Sequence, residues 1–147
     1  MTRTPLPLAL ACLIATPALA GTGEWTSGWA MGTSEHAVDD GNSNALLISC
    51  PSDGYISAEA TIQGERYDSE SEQGFDVIVD GVTFSNPFYT DCRACADIFK
   101  TQFWEAFRQA NRLQLAAGGH VVNLSTKGLK SGTHPLDAPA NNCNPAW

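Results

Sequence analysis

Positive charge is scarce in this sequence. Its 147 residues contain 8 Lys and Arg against 16 Asp and Glu, which gives a formal net charge of −8 at pH 7. A surface that binds nucleic acid or an anionic membrane needs basic side chains to neutralise phosphate groups. We therefore expect no nucleic-acid partner. The acidity favours solubility, and it would also suit a partner protein with a cationic surface.

Long hydrophobic runs are also lacking. The main apolar run, residues 6–14, is too short to span a bilayer, which takes about 20 residues. Arg3 precedes this run and Ala18-Leu19-Ala20 follows it, in the order of a secretory signal with a small-x-small cleavage site. We expect residues 1–20 to be a signal peptide and 21–147 a single soluble domain, periplasmic or secreted, with no transmembrane segment.

Cysteine is sparse but informative. Of the five, Cys12 lies within the predicted signal, and its use as a lipid-attachment site would leave a signal of only eleven residues. Paired cysteines in an exported protein usually form disulfides. The other four allow three connectivities, and we favour Cys92–Cys95 with Cys50–Cys143. In the chain-entropy model, a loop as long as the second contributes roughly 4 kcal/mol.

The Cys92-Arg93-Ala94-Cys95 stretch immediately precedes a predicted helix. A cysteine at a helix N-terminus has its thiolate favoured by the backbone N–H groups, so one hypothesis is a redox pair in which Cys92 is the nucleophile and Cys95 the resolving thiol. However, the strands around it read as antiparallel hairpins rather than a βαβ unit. Metal binding has no second C-x-x-C or H-x-x-x-H to complete four ligands. We predict a structural disulfide and no metal or cofactor.

Short apolar stretches bounded by Gly, Asp, Asn and Pro predict β-strands. They lie at residues 25–31, 45–50, 55–62, 75–79, 82–84, 113–115 and 120–124, with polar loops at 35–44 and 64–74. The clearest helix lies between Asp97 and Asn111, where Phe99, Phe103 and Phe107 share one face at about 100° per residue. The predicted fold class is α+β: mainly antiparallel hairpins packed against one long amphipathic helix and stapled by disulfides.

Trp104 departs from the apolar stripe of the predicted helix, since it projects about 140° from Phe99 on the helical wheel. It either packs with a loop or marks an interaction site.

The remaining polar patterns predict no catalytic residue. No histidine stands in a recognisable relation to a Ser or Cys nucleophile, and no G-x-S-x-G occurs. We expect surface positions for the three histidines: His36, His120 and His134. Asp40-x-Asn42-x-Asn44 resembles the start of a calcium loop, but it lacks the turn glycine and the bidentate Glu.

A series of short motifs runs through the C-terminal half. It consists of Phe103-Trp104-x-Ala106, Leu113-x-Leu115, a glycine hairpin, Val122-x-Leu124 leading to Gly128-Leu129, and a late Cys143. The order resembles small periplasmic proteins of the invasion-associated locus B type over residues 99–143. The resemblance implies an exported, β-rich accessory or interaction protein and transfers no catalytic residue.

These observations predict an exported, non-catalytic binding or envelope-accessory protein. Two alternatives belong to other classes: a thiol–disulfide redox protein that uses the Cys92/Cys95 pair, and an inhibitor or immunity protein for a cationic enzyme that acts on the envelope.

Overall fold

The computed structural model describes residues 23–147, so the predicted signal peptide and Cys12 lie outside the described residues. Within residues 23–147, nine strands form two antiparallel sheets with the orders β1-β2-β3-β4-β5 and β7-β6-β8-β9. The strands are β1 (Thr26–Ala30), β2 (Thr33–Asp39), β3 (Ala45–Pro51), β4 (Ser57–Ile62), β5 (Glu65–Asp68), β6 (Asp76–Val79), β7 (Val82–Phe84), β8 (Leu113–Ala117) and β9 (His120–Leu124).

The strands form where apolar residues alternate with polar ones, because successive side chains point to opposite faces of a sheet. On β3, Leu46, Ile48 and Cys50 are buried while the residues between them are partly exposed. The predicted hairpin of β6 and β7 is present. Asp80 and Gly81 join its strands with φ values of 49° and 87°, the left-handed pair that a tight hairpin turn requires.

One hydrophobic core joins both sheets, with β4 in contact with β8 and β9. Aromatic rings fill much of it. Phe88 is fully buried and makes edge-to-face contacts with Phe103 and Phe107, at centroid distances of 5.1 and 5.6 Å. Such pairs add to the stabilisation that comes from burying the rings. The helical segment described next therefore contributes its phenylalanines to the core.

The predicted α+β fold with one long helix is wrong. The protein is mainly β, and its principal helical segment runs only from Arg93 to Arg108. It consists of α1 (Arg93–Ile98), a π-helical stretch (Phe99–Phe103) and α2 (Trp104–Arg108), and a one-turn α3 (Leu129–Gly132) follows β9.

The two ends of the helical segment Arg93–Arg108 explain why the predicted helix between Asp97 and Asn111 was misplaced. Cys92 is the N-cap, and its sulfur accepts a hydrogen bond from the backbone N–H of Cys95, so the helix begins several residues early. Gln109 has φ −101° and ψ 13° and ends it before Asn111. β5 was also missed, because its residues lie in an acidic stretch that reads as a loop.

The described part of the chain contains two disulfides, and they are the two pairings favoured from the sequence. Cys92–Cys95 joins the first turn of the helical segment to its cap, and Cys50–Cys143 ties the C-terminal tail to β3. The tail is held further along by backbone and side-chain hydrogen bonds: Ile56 N–H donates to the carbonyl of Asn144 at 2.8 Å, and Ala146 N–H donates to Thr90 Oγ1 at 2.9 Å. Within residues 23–147, no helix is both long and apolar enough to cross a membrane.

Candidate functional site

An exposed surface combines three carboxylates with two aromatic rings. We call it the acidic aromatic face, and its members are Tyr55, Asp68, Glu70, Asp91 and Trp147. They come from four places in the chain: the turn before β4, the end of β5 and the residues after it, the segment before α1, and the C-terminus. All five side chains are exposed. The tail that Cys50–Cys143 attaches to β3 therefore places the terminal tryptophan on this face.

The carboxylates of the face lie close enough to influence one another. Partial burial, and then the negative charges of Asp68 and Asp91, raise the pKa of Glu70 above its usual value. The charges of Asp91 and Glu70 likewise raise the pKa of Tyr55. Negative charge from neighbouring carboxylates contributes to both shifts.

Trp147 is 59% exposed and is positioned by a neighbour on each side. Its indole N–H donates to Oδ1 of Asp91 at 3.3 Å. The guanidinium of Arg93 lies over the ring, 6.0 Å from its centroid, at the edge of a cation–π contact. The ring is thus oriented while most of it faces solvent, as in an aromatic residue that anchors a partner.

The Cys92–Cys95 disulfide adjoins this face, since Arg93 and Asp91 flank Cys92 in the chain. Both cysteines are half-buried. The hydrogen bond from Cys95 N–H to Cys92 Sγ measures 3.0 Å. A donor at this distance stabilises a thiolate as well as a disulfide sulfur.

Trp104, singled out as an interaction residue, does not present its ring to a partner. It is 1% exposed, and its indole N–H donates to the carbonyl oxygen of His134 at 2.8 Å. The backbone N–H of Trp104 bonds to the carbonyl of Phe99, five residues earlier, which is the π-helical pattern. This wider turn rotates Trp104 toward Phe99, and the two rings lie 5.5 Å apart. Trp104 therefore packs against the loop that contains His134. This agrees with the first of the two interpretations, that it packs with a loop.

The three histidines have different surroundings. His120 and His134 are exposed, as expected. His36 is not: it lies on β2 instead of in a loop, on the inner face with Val38, and it is only 8% exposed. Burial, and then the neighbouring His134, lower the pKa of His36.

His36 lies beside a serine that the sequence did not reveal as its neighbour. Ser27 Oγ is 2.7 Å from His36 Nδ1. The two residues are directly opposite each other in the β1–β2 hairpin. Met31 and Gly32 form the turn of this hairpin, and both have positive φ. If the turn had been placed there from the sequence, the hairpin register would have predicted that Ser27 lies opposite His36.

The Ser27–His36 pair is not arranged for nucleophilic catalysis. Ser27 Oγ also lies 3.0 Å from the carbonyl oxygen of Gly132, an atom that only accepts hydrogen bonds. The single hydroxyl proton is therefore donated to Gly132, and His36 cannot act as the base that receives it. A nucleophile needs the opposite arrangement.

The stretch Asp40-x-Asn42-x-Asn44, which resembles the start of a calcium loop, forms hydrogen bonds within its own loop. Asp40 accepts hydrogen bonds from the backbone N–H groups of Asn42 and Asn44 and from the Asn44 side chain. Burial alone would raise the pKa of Asp40, but these bonds together lower it. The carboxylate thus closes the loop between β2 and β3.

The fold and these surfaces define a small two-sheet β-protein, cross-linked by disulfides, with an acidic aromatic face. Its family model, described as YfjT, matches residues 23–132, so the chain belongs to the YfjT family. The match includes all nine strands and ends with α3, before the tail that contains Cys143 and Trp147. No curated protein and no solved structure matches. The resemblance to invasion-associated locus B proteins stays a prediction.

Proposed function

We propose that this protein is an exported, non-catalytic binding protein that docks a cationic protein through the acidic aromatic face. The observation that carries the proposal is the grouping of three exposed carboxylates with Trp147: Glu70 N–H donates to Asp68, and the exposed Trp147 indole donates to Asp91. Carboxylates that repel one another in the free protein gain when a basic surface approaches. Such complementarity increases the rate of association and selects the partner.

The aromatic members of the face supply the anchors that an interface needs. Trp147 and Tyr55 are 59% and 40% exposed. Tryptophan and tyrosine are enriched among residues that dominate binding energy, because they bury a large area at a low cost in conformational entropy. Charges around such anchors determine which partner is accepted.

Export is a separate part of the proposal. It is supported by the order of residues 1–20 in the sequence and by the two disulfides, which persist in oxidising compartments. The periplasm or the extracellular medium contains cationic enzymes that act on the envelope, and an inhibitor or immunity protein for such an enzyme is the narrower form of this function.

The experiment is a calorimetric titration with lysozyme, a basic cell-wall hydrolase, and with cytochrome c, a basic protein of a different fold. Binding is expected for at least one of them at 0.05 M salt, and it should weaken steeply toward 0.5 M because salt screens exposed charges. Inhibition of lysozyme turnover at equal concentrations would favour the inhibitor. Absence of binding to both proteins at low salt overturns the proposal.

A thiol–disulfide redox function is the second candidate, because Cys92 is an accessible helix N-cap that accepts a hydrogen bond from Cys95 N–H. In the reducing direction, the Cys92 thiolate would attack a substrate disulfide and release one substrate thiol. Cys95 would then displace the second, leaving Cys92–Cys95 oxidised and the substrate reduced by two electrons.

Equilibration with glutathione buffers separates the redox candidate from a structural disulfide. A reduction potential of about −200 mV for Cys92–Cys95 lies in the range of thiol–disulfide redox proteins and supports the redox candidate. A potential below about −300 mV makes the bond structural and removes the candidate. The Cys50–Cys143 bond serves as the internal reference, because both of its cysteines are buried.

A further inference from the structure

A second, smaller site lies where the C-terminal segment crosses the first hairpin. It is a groove of about 230 Å³. We call it the histidine groove, and its polar lining residues are Ser27, Ser34, His36, His134, Asn141 and Asn142. It takes no part in the acidic aromatic face, so its chemistry is independent of the proposed function.

Hydrogen bonding determines which nitrogen of His36 carries the proton. Since the hydroxyl proton of Ser27 is donated to the carbonyl of Gly132, Ser27 Oγ must accept from His36 Nδ1. Nδ1 therefore carries a hydrogen, and in the neutral ring Nε2 carries a lone pair. This is the arrangement of a metal-binding histidine, whose second nitrogen donates to a neighbouring oxygen that orients the ring.

His36 lines the groove, and its Nε2 has no hydrogen-bond partner among the described residues. Among the described residues, the enclosed side-chain nitrogens and oxygens without a partner are Asn86 Oδ1 and Arg108 Nε. His36 Nε2 is not one of them, so this unpartnered nitrogen is accessible from solvent.

The opposite side of the groove offers further ligand atoms. His134 is exposed, and its backbone is held because its carbonyl accepts the indole N–H of Trp104. Asn142 donates its amide N–H to Ser34 Oγ at 2.9 Å, so its carbonyl oxygen remains available. His36, His134 and Asn142 thus line the same small space.

We propose that the histidine groove binds one divalent transition-metal ion, Zn²⁺ or Cu²⁺, through His36 Nε2 and the imidazole of His134. The Asn142 carbonyl oxygen and water complete the coordination. Neutral imidazoles select these ions over Mg²⁺ and Ca²⁺, which prefer all-oxygen sites. An imidazole nitrogen of His36 also lies within 4.8 Å of both sulfurs of Cys50–Cys143, but in the disulfide these sulfurs are not thiolate ligands.

The test uses tag-free protein with both disulfides oxidised, titrated with Zn²⁺ by calorimetry and with Cu²⁺ by electron paramagnetic resonance. One ion per chain is expected, with two nitrogens in the copper hyperfine pattern. His134→Ala should weaken binding at least tenfold and leave one nitrogen. His120→Ala removes another exposed histidine, outside the groove, and should bind as wild type does.

Ser27→Ala is the test of the positioning role, because it removes the oxygen that receives the Nδ1 proton while keeping the imidazole. It should weaken Zn²⁺ binding by about 10- to 100-fold, as outer-sphere changes do at known sites, with two nitrogens retained around Cu²⁺. His36→Ala would remove the other proposed ligand. If that variant fails to fold, His134→Ala and Ser27→Ala still test metal binding in the groove. Absence of binding by wild type, or equal binding by His134→Ala and wild type, overturns the proposal.

Discussion

The backbone N–H of Trp104 donates to the carbonyl oxygen of Phe99, five residues earlier. This bond belongs to the π-helical stretch that separates α1 from α2, and it places the two rings 5.5 Å apart on the buried side. π-Helical turns are rare and often lie near functional positions. Here the turn places the indole N–H within reach of the His134 carbonyl, and so ties the helical segment to the histidine groove.

Truncating Trp104 should therefore destabilise the protein strongly. Trp104→Ala is expected to lower the free energy of unfolding by about 3–5 kcal/mol, the usual cost of deleting a buried aromatic ring. Urea denaturation measures the effect. Trp29→Ala is the matched control, since Trp29 is 69% exposed and its loss should cost about 0.5 kcal/mol or less. Equal losses in the two variants would contradict the buried position of Trp104.

The same residue shows where sequence patterns reach their limit. A wheel at 100° per residue found the stripe of Phe99, Phe103 and Phe107 correctly, because residues four apart stay together in either kind of helix. It placed Trp104 outside, because nothing in the local sequence announces an i→i+5 turn. The hairpins at 75–84 and 113–124 were predicted correctly, since their alternation and their Asp-Gly and Gly-Gly turns are local signals.

The missed features are of two kinds. β5 forms a tight hairpin with β4, in which Ile62 pairs with Glu65, but the acidic stretch around it reads as a loop. The others depend on contacts between residues far apart in sequence. His36 is buried because the tail tied by Cys50–Cys143 crosses the hairpin, a contact far apart in sequence. The acidic aromatic face likewise gathers residues between Tyr55 and Trp147 that no local motif connects.

The two disulfides should differ in their effect on stability. Replacing Cys50 and Cys143 by Ala opens a loop with a sequence separation of 93 and should cost about 4–5 kcal/mol in the chain-entropy model. Replacing Cys92 and Cys95, three positions apart, should cost about 2 kcal/mol or less. Urea denaturation without reductant compares the two double variants. The reverse order would contradict the role of Cys50–Cys143 as the main cross-link.

Stability should fall on mild acidification because of His36. Its pKa is lowered in the folded state, chiefly by burial, so the unfolded chain binds the proton more readily. The free energy of unfolding is therefore expected to decrease as the pH falls below about 6.5, the unfolded value. His36→Asn should reduce this slope, and His120→Asn should not. An unchanged slope in His36→Asn, measured by denaturation between pH 7.5 and 5, would contradict the burial of a neutral imidazole.

The ionisation of Glu70 should change stability with pH in the opposite direction to that of His36. Its pKa is raised in the folded state, so ionisation of the carboxyl disfavours folding above that pKa, and the penalty decreases as the pH falls. Glu70→Gln should raise the free energy of unfolding at pH 7, by about 0.5 kcal/mol or less because the group is largely solvated. The gain should vanish near pH 4. Thermal denaturation checks the sign, and a variant less stable than wild type at pH 7 would show that the carboxylate is stabilised instead.

The most direct test of the proposed binding function compares two variants with equal net charge in the lysozyme titration at low salt. The face variant combines Asp68→Asn, Glu70→Gln and Asp91→Asn. The control variant neutralises three exposed carboxylates elsewhere: Glu35→Gln, Glu65→Gln and Asp137→Asn. The face variant should bind at least tenfold more weakly than wild type, whereas the control should stay within about threefold, because a local interface depends on nearby charges. Equal weakening in both variants would contradict a docking face and attribute the attraction to net charge alone.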